Sequence, residues 1–128
     1  MRIYVAGKYE DRLIIRSIHK TLIKMGHEIT VDWTNHDIYP NDAAALKQSQ
    51  FAQDDVIGVL DADLFIGLML EEHYYKGLWC EMGIALGKGI PIYIIGDKGD
   101  SCIFINHPSV KKFTSIADCI KDKYLVSK

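Results

Sequence analysis

The sequence is short of cysteine, of proline and of surplus positive charge, and each shortage closes off a class of explanation. Its 128 residues include only 3 cysteines and 3 prolines. Cys80, Cys102 and Cys119 cannot all pair, and their spacing fits no metal motif. Reduced thiols in a cytoplasmic compartment are therefore expected. Lys and Arg number 15 against 17 Asp and Glu, a net charge of -2. A nucleic-acid polymer is held by clustered cations that displace counterions, so none is expected as a partner. A small anionic ligand needs only a few donors and stays open. The longest apolar run, Leu64 to Leu70, falls far short of the roughly 20 residues that cross a bilayer. The first, Ile3 to Ala6, is too short for a secretory leader. No membrane partner is expected.

What remains is an ordinary globular composition, 48% hydrophobic and 25% charged. It suits one domain over residues 1–128, large enough to bury a core. Arg2 to Ala6 reads as a strand that stops at Gly7. Ile14, Ile18, Leu22 and Met25 recur at helical spacing from about Asp11, and Gly26 caps that helix. His27 to Val31 is a second strand, and residues 32–40 form a polar, aromatic loop. A second helix runs from about Asp42 to Leu60. Asp63 to Leu70 is continuously apolar, as a strand covered on both faces must be. After a loop, Gly77 opens a third helix that ends near Gly87 to Gly89. Ile90 to Ile95 is the fourth strand, Lys112 to Thr114 a short fifth, and Ser115 to Leu125 a last helix.

Strands alternating with helices imply an α/β fold. We expect a single doubly wound five-stranded parallel sheet, flavodoxin-like or Rossmann-like, in the order 2-1-3-4-5. Ligands of such sheets bind beyond the carboxyl ends of the strands, where the order reverses. Here that crevice lies between strands 1 and 3, beside the loops that begin at Gly7 and Leu70.

Glu81 is the first chemical candidate. It lies four residues after Gly77, and helical side chains lean toward the amino end, so it points back over an empty position. The helix dipole favours its ionised form, as a nucleophile needs. The same position equally suits an acid that only stabilises the helix. Asp55 falls within the stripe Phe51, Ala52, Val56 and Val59, whereas Asp54 sits with Lys47, Gln50 and Gly58 on the polar side. A carboxylate on a core-facing stripe must be paired or used; a capping role under a loop is the alternative. Two such acids are what glycosidic bond cleavage requires. Tyr4 lies in strand 1, either as plain core or as a phenol bonded to a nearby carboxylate.

Other residues speak more softly. Gly7, Lys8 and Tyr9 could meet a phosphate, though a lone glycine is a weak loop signal. Trp33 and Tyr39 either stack on a base or cover the sheet edge. Glu71, Glu72 and His73 match no metal motif and read as solvated charge; no metal and no cofactor are expected. Cys80 could be a nucleophile, but a small buried hydrophobe is the simpler reading.

Together, Ile3-Tyr-Val-Ala-Gly7, Gln53-Asp-Asp-Val56 before Ala62-Asp63, Gly77-Leu-Trp-Cys-Glu-Met-Gly83 with Ala85, and Gly89-Ile-Pro-Ile92 resemble the nucleoside 2-deoxyribosyltransferase family. That superfamily includes the 2'-deoxynucleoside 5'-monophosphate N-hydrolases. The resemblance implies that Glu81 is the nucleophile forming a covalent sugar ester, that Tyr4 holds it in position, and that Asp55 contacts the sugar and assists departure of the base. It implies that Gly7 and Gly77 line the sugar and 5' end. Ser101 and Asn106 fall where a neighbouring subunit of a homodimer or larger homo-oligomer completes a shared pocket. The sequence departs from the pattern at Tyr75, where family members carry Asp or Ser, and at Lys8, Tyr9 and Glu10, which replace the usual phosphate cradle. Lys8 or Arg12 would have to serve instead. The implied function is cleavage of the N-glycosidic bond of a (deoxy)ribonucleoside or its 5'-monophosphate, with transfer to water or a second nucleobase. The alternative is a non-catalytic nucleotide-binding module on the same scaffold.

Overall fold

The computed structural model describes residues 1–36, 43–72, 75–98 and 102–126, with only the backbone of 43 and 44. Five strands form one parallel sheet: β1 (Arg2–Ala6), β2 (Glu28–Ile29), β3 (Leu64–Leu68), β4 (Ile92–Ile95) and β5 (Val110–Phe113). Their order is β2-β1-β3-β4-β5, the doubly wound order expected. Three long helices connect them: α1 (Arg12–Lys24), α2 (Ala43–Leu60) and α3 (Lys76–Lys88). Two short ones, α4 (Ile116–Ile120) and α5 (Lys123–Val126), follow β5.

The three central strands are apolar because both of their faces are covered. Ile3, Tyr4, Val5 and Ala6 of β1, and Leu64, Phe65, Ile66 and Leu68 of β3, have no exposed surface. Burying each large side chain contributes about 1.5–3 kcal/mol. The register places Tyr4 beside Phe65 and Ala6 beside Gly67, on the face that α2 and α3 cover. Gly26 closes α1 as its sequence position suggested: the His27 amide donates to the Leu22 carbonyl at 3.0 Å.

Three expectations change. The second strand, expected over His27 to Val31, is reduced to Glu28–Ile29, with one further amide, Thr30, donating to the Ile3 carbonyl at 3.0 Å. The chain then leaves the sheet because Asp32 caps a tight turn, accepting from the Thr34 amide at 3.0 Å. The last helix, expected over Ser115 to Leu125, breaks at Asp122. That side chain accepts from Tyr93 and from Lys111, and caps α5 by accepting from the Tyr124 amide at 3.1 Å. The buried face of α2 is also rotated from the expected stripe. Ala52, Val56 and Ile57 are exposed, whereas Gly58, assigned to the polar side, is buried. A Cβ on Gly58 would stand 2.7 Å from Val31 and 3.1 Å from Tyr4, so α2 sits close on the sheet only because that position is bare.

Gly96 ends β4 with φ +114, and a Cβ there would lie 2.0 Å from the Met69 carbonyl oxygen. Backbone cannot yield as a side chain can. Gly96→Ala is predicted to destabilise the protein by about 3 kcal/mol. Gly83→Ala, on an open face of α3 with no atom within 4 Å, should stabilise it by about 0.5–1 kcal/mol. Denaturant melts of the two variants check this; equal and small shifts would refute it.

Candidate active site

A cleft of about 540 Å³ opens at the carboxyl ends of β1 and β3, the point where strand order reverses. Its size is that of a small-molecule site. Gly7, Lys8, Tyr9, Trp33, Asp55, Tyr75, Gly77 and Glu81 line it, with Glu10, His36, Lys76 and Leu78.

The centre of the cleft is a link between two elements. Tyr4, wholly buried in β1, donates its hydroxyl to Oε2 of Glu81 on α3. Plain core packing, the alternative for Tyr4, is thus not the whole of its role. Burial drives the Glu81 carboxyl up to about 7; the Tyr4 hydrogen bond opposes this and the charge of Asp55 adds to it. The sequence reading had the helix dipole keeping Glu81 ionised. Desolvation proves the stronger influence, since Glu81 lies beyond the first turn, where the dipole acts most. The Tyr4 phenol is itself held far above its ordinary range by burial, then by the charges of Glu81 and Asp55, so it stays a donor. Gly77 faces open space: no atom lies within 4 Å of where its Cβ would be.

Asp55 projects from α2 into the same cleft. Burial, and then the charge of Asp54, raises its carboxyl to about 6. Its buried Oδ1 has no hydrogen-bond partner among the described residues. Nε2 of His36 stands 4.0 Å from it, beyond a hydrogen bond. The His36 ring lies flat on Phe51, centroids 3.9 Å apart and planes within 5°. Burial lowers its pKa, against the charges of Asp54 and Asp32, which favours the neutral ring. A buried carboxylate oxygen left unsatisfied beside a flat aromatic pair is a ready partner for a polar ligand.

Trp33 does two jobs: it lines the cleft and it covers the sheet, donating Nε1 to the Val5 carbonyl at 2.6 Å. Arg16 fixes its segment, donating to Thr34 Oγ1 at 3.0 Å and to the Thr34 carbonyl at 2.8 Å. Tyr75 precedes α3 in the left-handed region, φ 47, and its buried phenol donates to the Glu71 carbonyl at 2.8 Å. Lys8 pairs with the Glu71 carboxylate. Tyr9 carries the Arg12 guanidinium 4.4 Å above its ring.

Asn106 lies outside this cleft, exposed, with its Oδ1 accepting from Lys112 at 2.9 Å. Ser101, Tyr39 and His73 fall outside the described residues. Cys80, expected to be a small buried hydrophobe, is exposed, because its neighbour Glu81 takes the inward direction on α3. Among the described residues, no group of three His, Cys, Asp or Glu is placed to hold a metal ion. The residue that sequence reasoning missed is His36. No local pattern marks it; only the approach of α2, which brings Phe51 and Asp55, gives it a place.

The model of the nucleoside 2-deoxyribosyltransferase family matches residues 3–117. Among solved structures, a 2-deoxyribosyltransferase from the psychrotolerant bacterium Bacillus psychrosaccharolyticus superposes with a TM-score of 0.77 at 17% identity, over 95% of this chain and 92% of that one. A CMP N-glycosidase of Clostridium botulinum gives 0.64 at 19% identity, over 88% of each chain. A conserved protein of Enterococcus faecalis gives 0.58 at 17%, over 99% of this chain and 86% of that one. At such identities the likeness shows the shared fold. No curated protein sequence matches the chain.

The raised Glu81 carboxyl has a stability consequence. Below the unfolded value of 4.5, both states carry the proton and nothing is lost. Between 4.5 and about 7 only the unfolded chain ionises, so folding weakens as pH rises, and above that window the whole penalty is present. Glu81→Gln keeps an acceptor for Tyr4 and removes the charge. It should melt higher than wild type at about pH 8, by the equivalent of about 1–3 kcal/mol, and converge on it near about pH 4. A variant that is less stable at the higher pH would contradict this.

Proposed function

The chain belongs to the nucleoside 2-deoxyribosyltransferase family, a family of enzymes, and on that footing we propose that it cleaves the N-glycosidic bond of a (deoxy)ribonucleoside or its 5'-monophosphate, with Glu81 as nucleophile. One observation carries the reading. A desolvated carboxyl, fixed by a tyrosine hydroxyl, lines a cleft that is open at Gly77 and feels a second desolvated carboxyl.

The base lies toward Trp33 and the His36–Phe51 stack, and the sugar between Asp55 and Glu81. An oxygen of Glu81 bonds to C1' as the C1'–N bond breaks, and the electron pair leaves with the base. Asp55 gives the base its proton. Water, or a second nucleobase, then attacks C1' and frees Glu81, with Asp55 taking back a proton. Tyr4 positions Glu81 and weakens its hold on a proton. The pocket is completed in a homo-oligomer. Ile103 and Phe104, exposed beside Asn106, and Val56, Ile57 and Leu60 along α2 offer apolar surface to a second copy. No described helix is long and apolar enough to cross a membrane. The three free cysteines accord with a cytoplasmic setting.

Incubation with nucleosides and monophosphates, with and without a second free base, tests the activity by chromatography. Base release alone means hydrolysis, exchange means transfer, and a bound ligand recovered intact overturns the reading. Glu81→Gln should lower the rate by about a thousandfold or more. The pH profile follows from the two carboxyls. Glu81 must be ionised, so the rate climbs with pH; Asp55 must hold its proton, so the rate then falls. Only the singly protonated pair works, and kcat/KM should peak between the apparent values near 6 and 7. Asp55→Asn should remove the alkaline fall; a profile that keeps both limbs would exclude this role.

A further inference from the structure

We propose that Glu71 is a specificity-determining residue, which neutralises Lys8 and so makes the cleft select a nucleoside with a free 5'-hydroxyl over the corresponding 5'-monophosphate. This rests on the nucleoside-cleaving reading above and narrows its substrate.

The cleft has two chemically different ends. Trp33, His36 and Asp55 come from the segment after β2 and from α2, over the β2–β1 side of the sheet. Lys8, Tyr9, Tyr75 and Lys76 come from the loop after β1 and the start of α3, over the β1–β3 side. Glu81 lies between, bonded to Tyr4 and within the field of Asp55. A planar base suits the end with the stacked rings. The far side of the sugar, with its 5' substituent, then reaches the end that holds Lys8.

A phosphate arriving there needs an unmatched cation, and the structure offers little. The Lys8 side chain is 9% exposed, the most deeply placed cation of this end, and its Nζ is already against the Glu71 carboxylate. Arg12 is turned onto the Tyr9 ring, with Nη1 donating to the Tyr9 carbonyl at 3.3 Å. Glu10 lines the cleft as well, and Asp11 and Glu72 lie near enough for their charges to act on the Tyr75 phenol, after burial. Glu10, Asp11, Glu71 and Glu72 thus outnumber Lys8, Arg12 and Lys76. The amino end of α3 attracts an anion, and the acids just before it offset that attraction. A phosphate dianion meets like charge and must displace Glu71 to reach Lys8, whereas a neutral 5'-hydroxyl does neither. The Glu71 side chain is 63% exposed, while its backbone is held beside the start of α3. Its carbonyl accepts from the Tyr75 hydroxyl at 2.8 Å, and its amide lies 3.4 Å from the same oxygen.

The test compares kcat/KM for a 2'-deoxynucleoside and its 5'-monophosphate in wild type, in Glu71→Gln and in the double variant Lys8→Met/Glu71→Gln. Wild type should prefer the nucleoside. Glu71→Gln should move the ratio toward the monophosphate by about tenfold, and adding Lys8→Met should cancel the gain. Circular dichroism confirms that each variant is folded. A wild type that prefers the monophosphate, or a folded Glu71→Gln with an unchanged ratio, overturns the proposal. Calorimetry with the same two ligands separates it from the catalytic reading. Tighter nucleoside binding with no base released from either ligand would sink the catalysis and leave the selectivity standing, and equal binding with equal turnover would sink the selectivity alone.

Discussion

Everything at the cleft depends on one hydrogen bond, from the Tyr4 hydroxyl in the central strand to the Glu81 carboxyl on α3. It joins a buried strand of the sheet to the carboxyl proposed as nucleophile. Tyr4 is wholly buried and stacked on Phe65, ring centroids 5.9 Å apart, so its hydroxyl is fixed by the sheet. No described cation pairs with Glu81. A carboxyl desolvated without a countercharge weakens the fold, and the surrounding residues are chosen to permit it. Gly58 lets α2 come down on Tyr4, and Gly77 leaves open space in the wall of the cleft that Glu81 lines. The price in stability is the same desolvation that raises the carboxyl to about 7.

Two desolvated acids in one cleft cannot both be charged cheaply. Asp55 loses its proton first, near 6, and its charge then helps hold the proton on Glu81 to about 7. Between these values the pair shares one proton. The Tyr4 hydrogen bond works against the general trend, because it favours a charged Glu81. It thereby enlarges the fraction of molecules in which the charge is on Glu81 and the proton on Asp55. A hydrogen bond that looks structural in this way also sets which of the two acids carries the proton.

The parallel α/β architecture was legible because strands covered on both faces leave an unmistakable apolar signature, as in Leu64 to Leu68, and because Gly26 and Gly89 end helices at positive φ. The crevice followed from topology alone, and Glu81 from its spacing to Gly77. What was illegible depended on tertiary approach. Val56 and Ile57 are as apolar as any core residue, yet they face outward, while the bare Gly58 faces in. Periodicity counts apolar side chains and cannot see a helix drawn close by having none. Asp122 broke the last helix through partners in β4 and β5, Tyr93 and Lys111, that no local window contains. His36 gained its position from Phe51, brought to it by α2.

Tyr75 shows how the remaining geometry is held. A tyrosine at φ 47 costs about 1 kcal/mol or more in backbone strain, and glycine would take that turn freely. The structure keeps tyrosine because its side chain offsets the strain: the phenol is 3% exposed and its hydroxyl bonds the Glu71 carbonyl. That bond ties the loop after β3 to the residue just before α3, so the turn fixes where the helix begins. The start of α3 sets the phase of every residue along it. A shift by one position would rotate the Glu81 direction by about 100° and hand the inward place to Cys80 or Met82. The strained turn before the helix and the Tyr4 hydrogen bond to Glu81 within it therefore act on the same variable, the rotational register of α3.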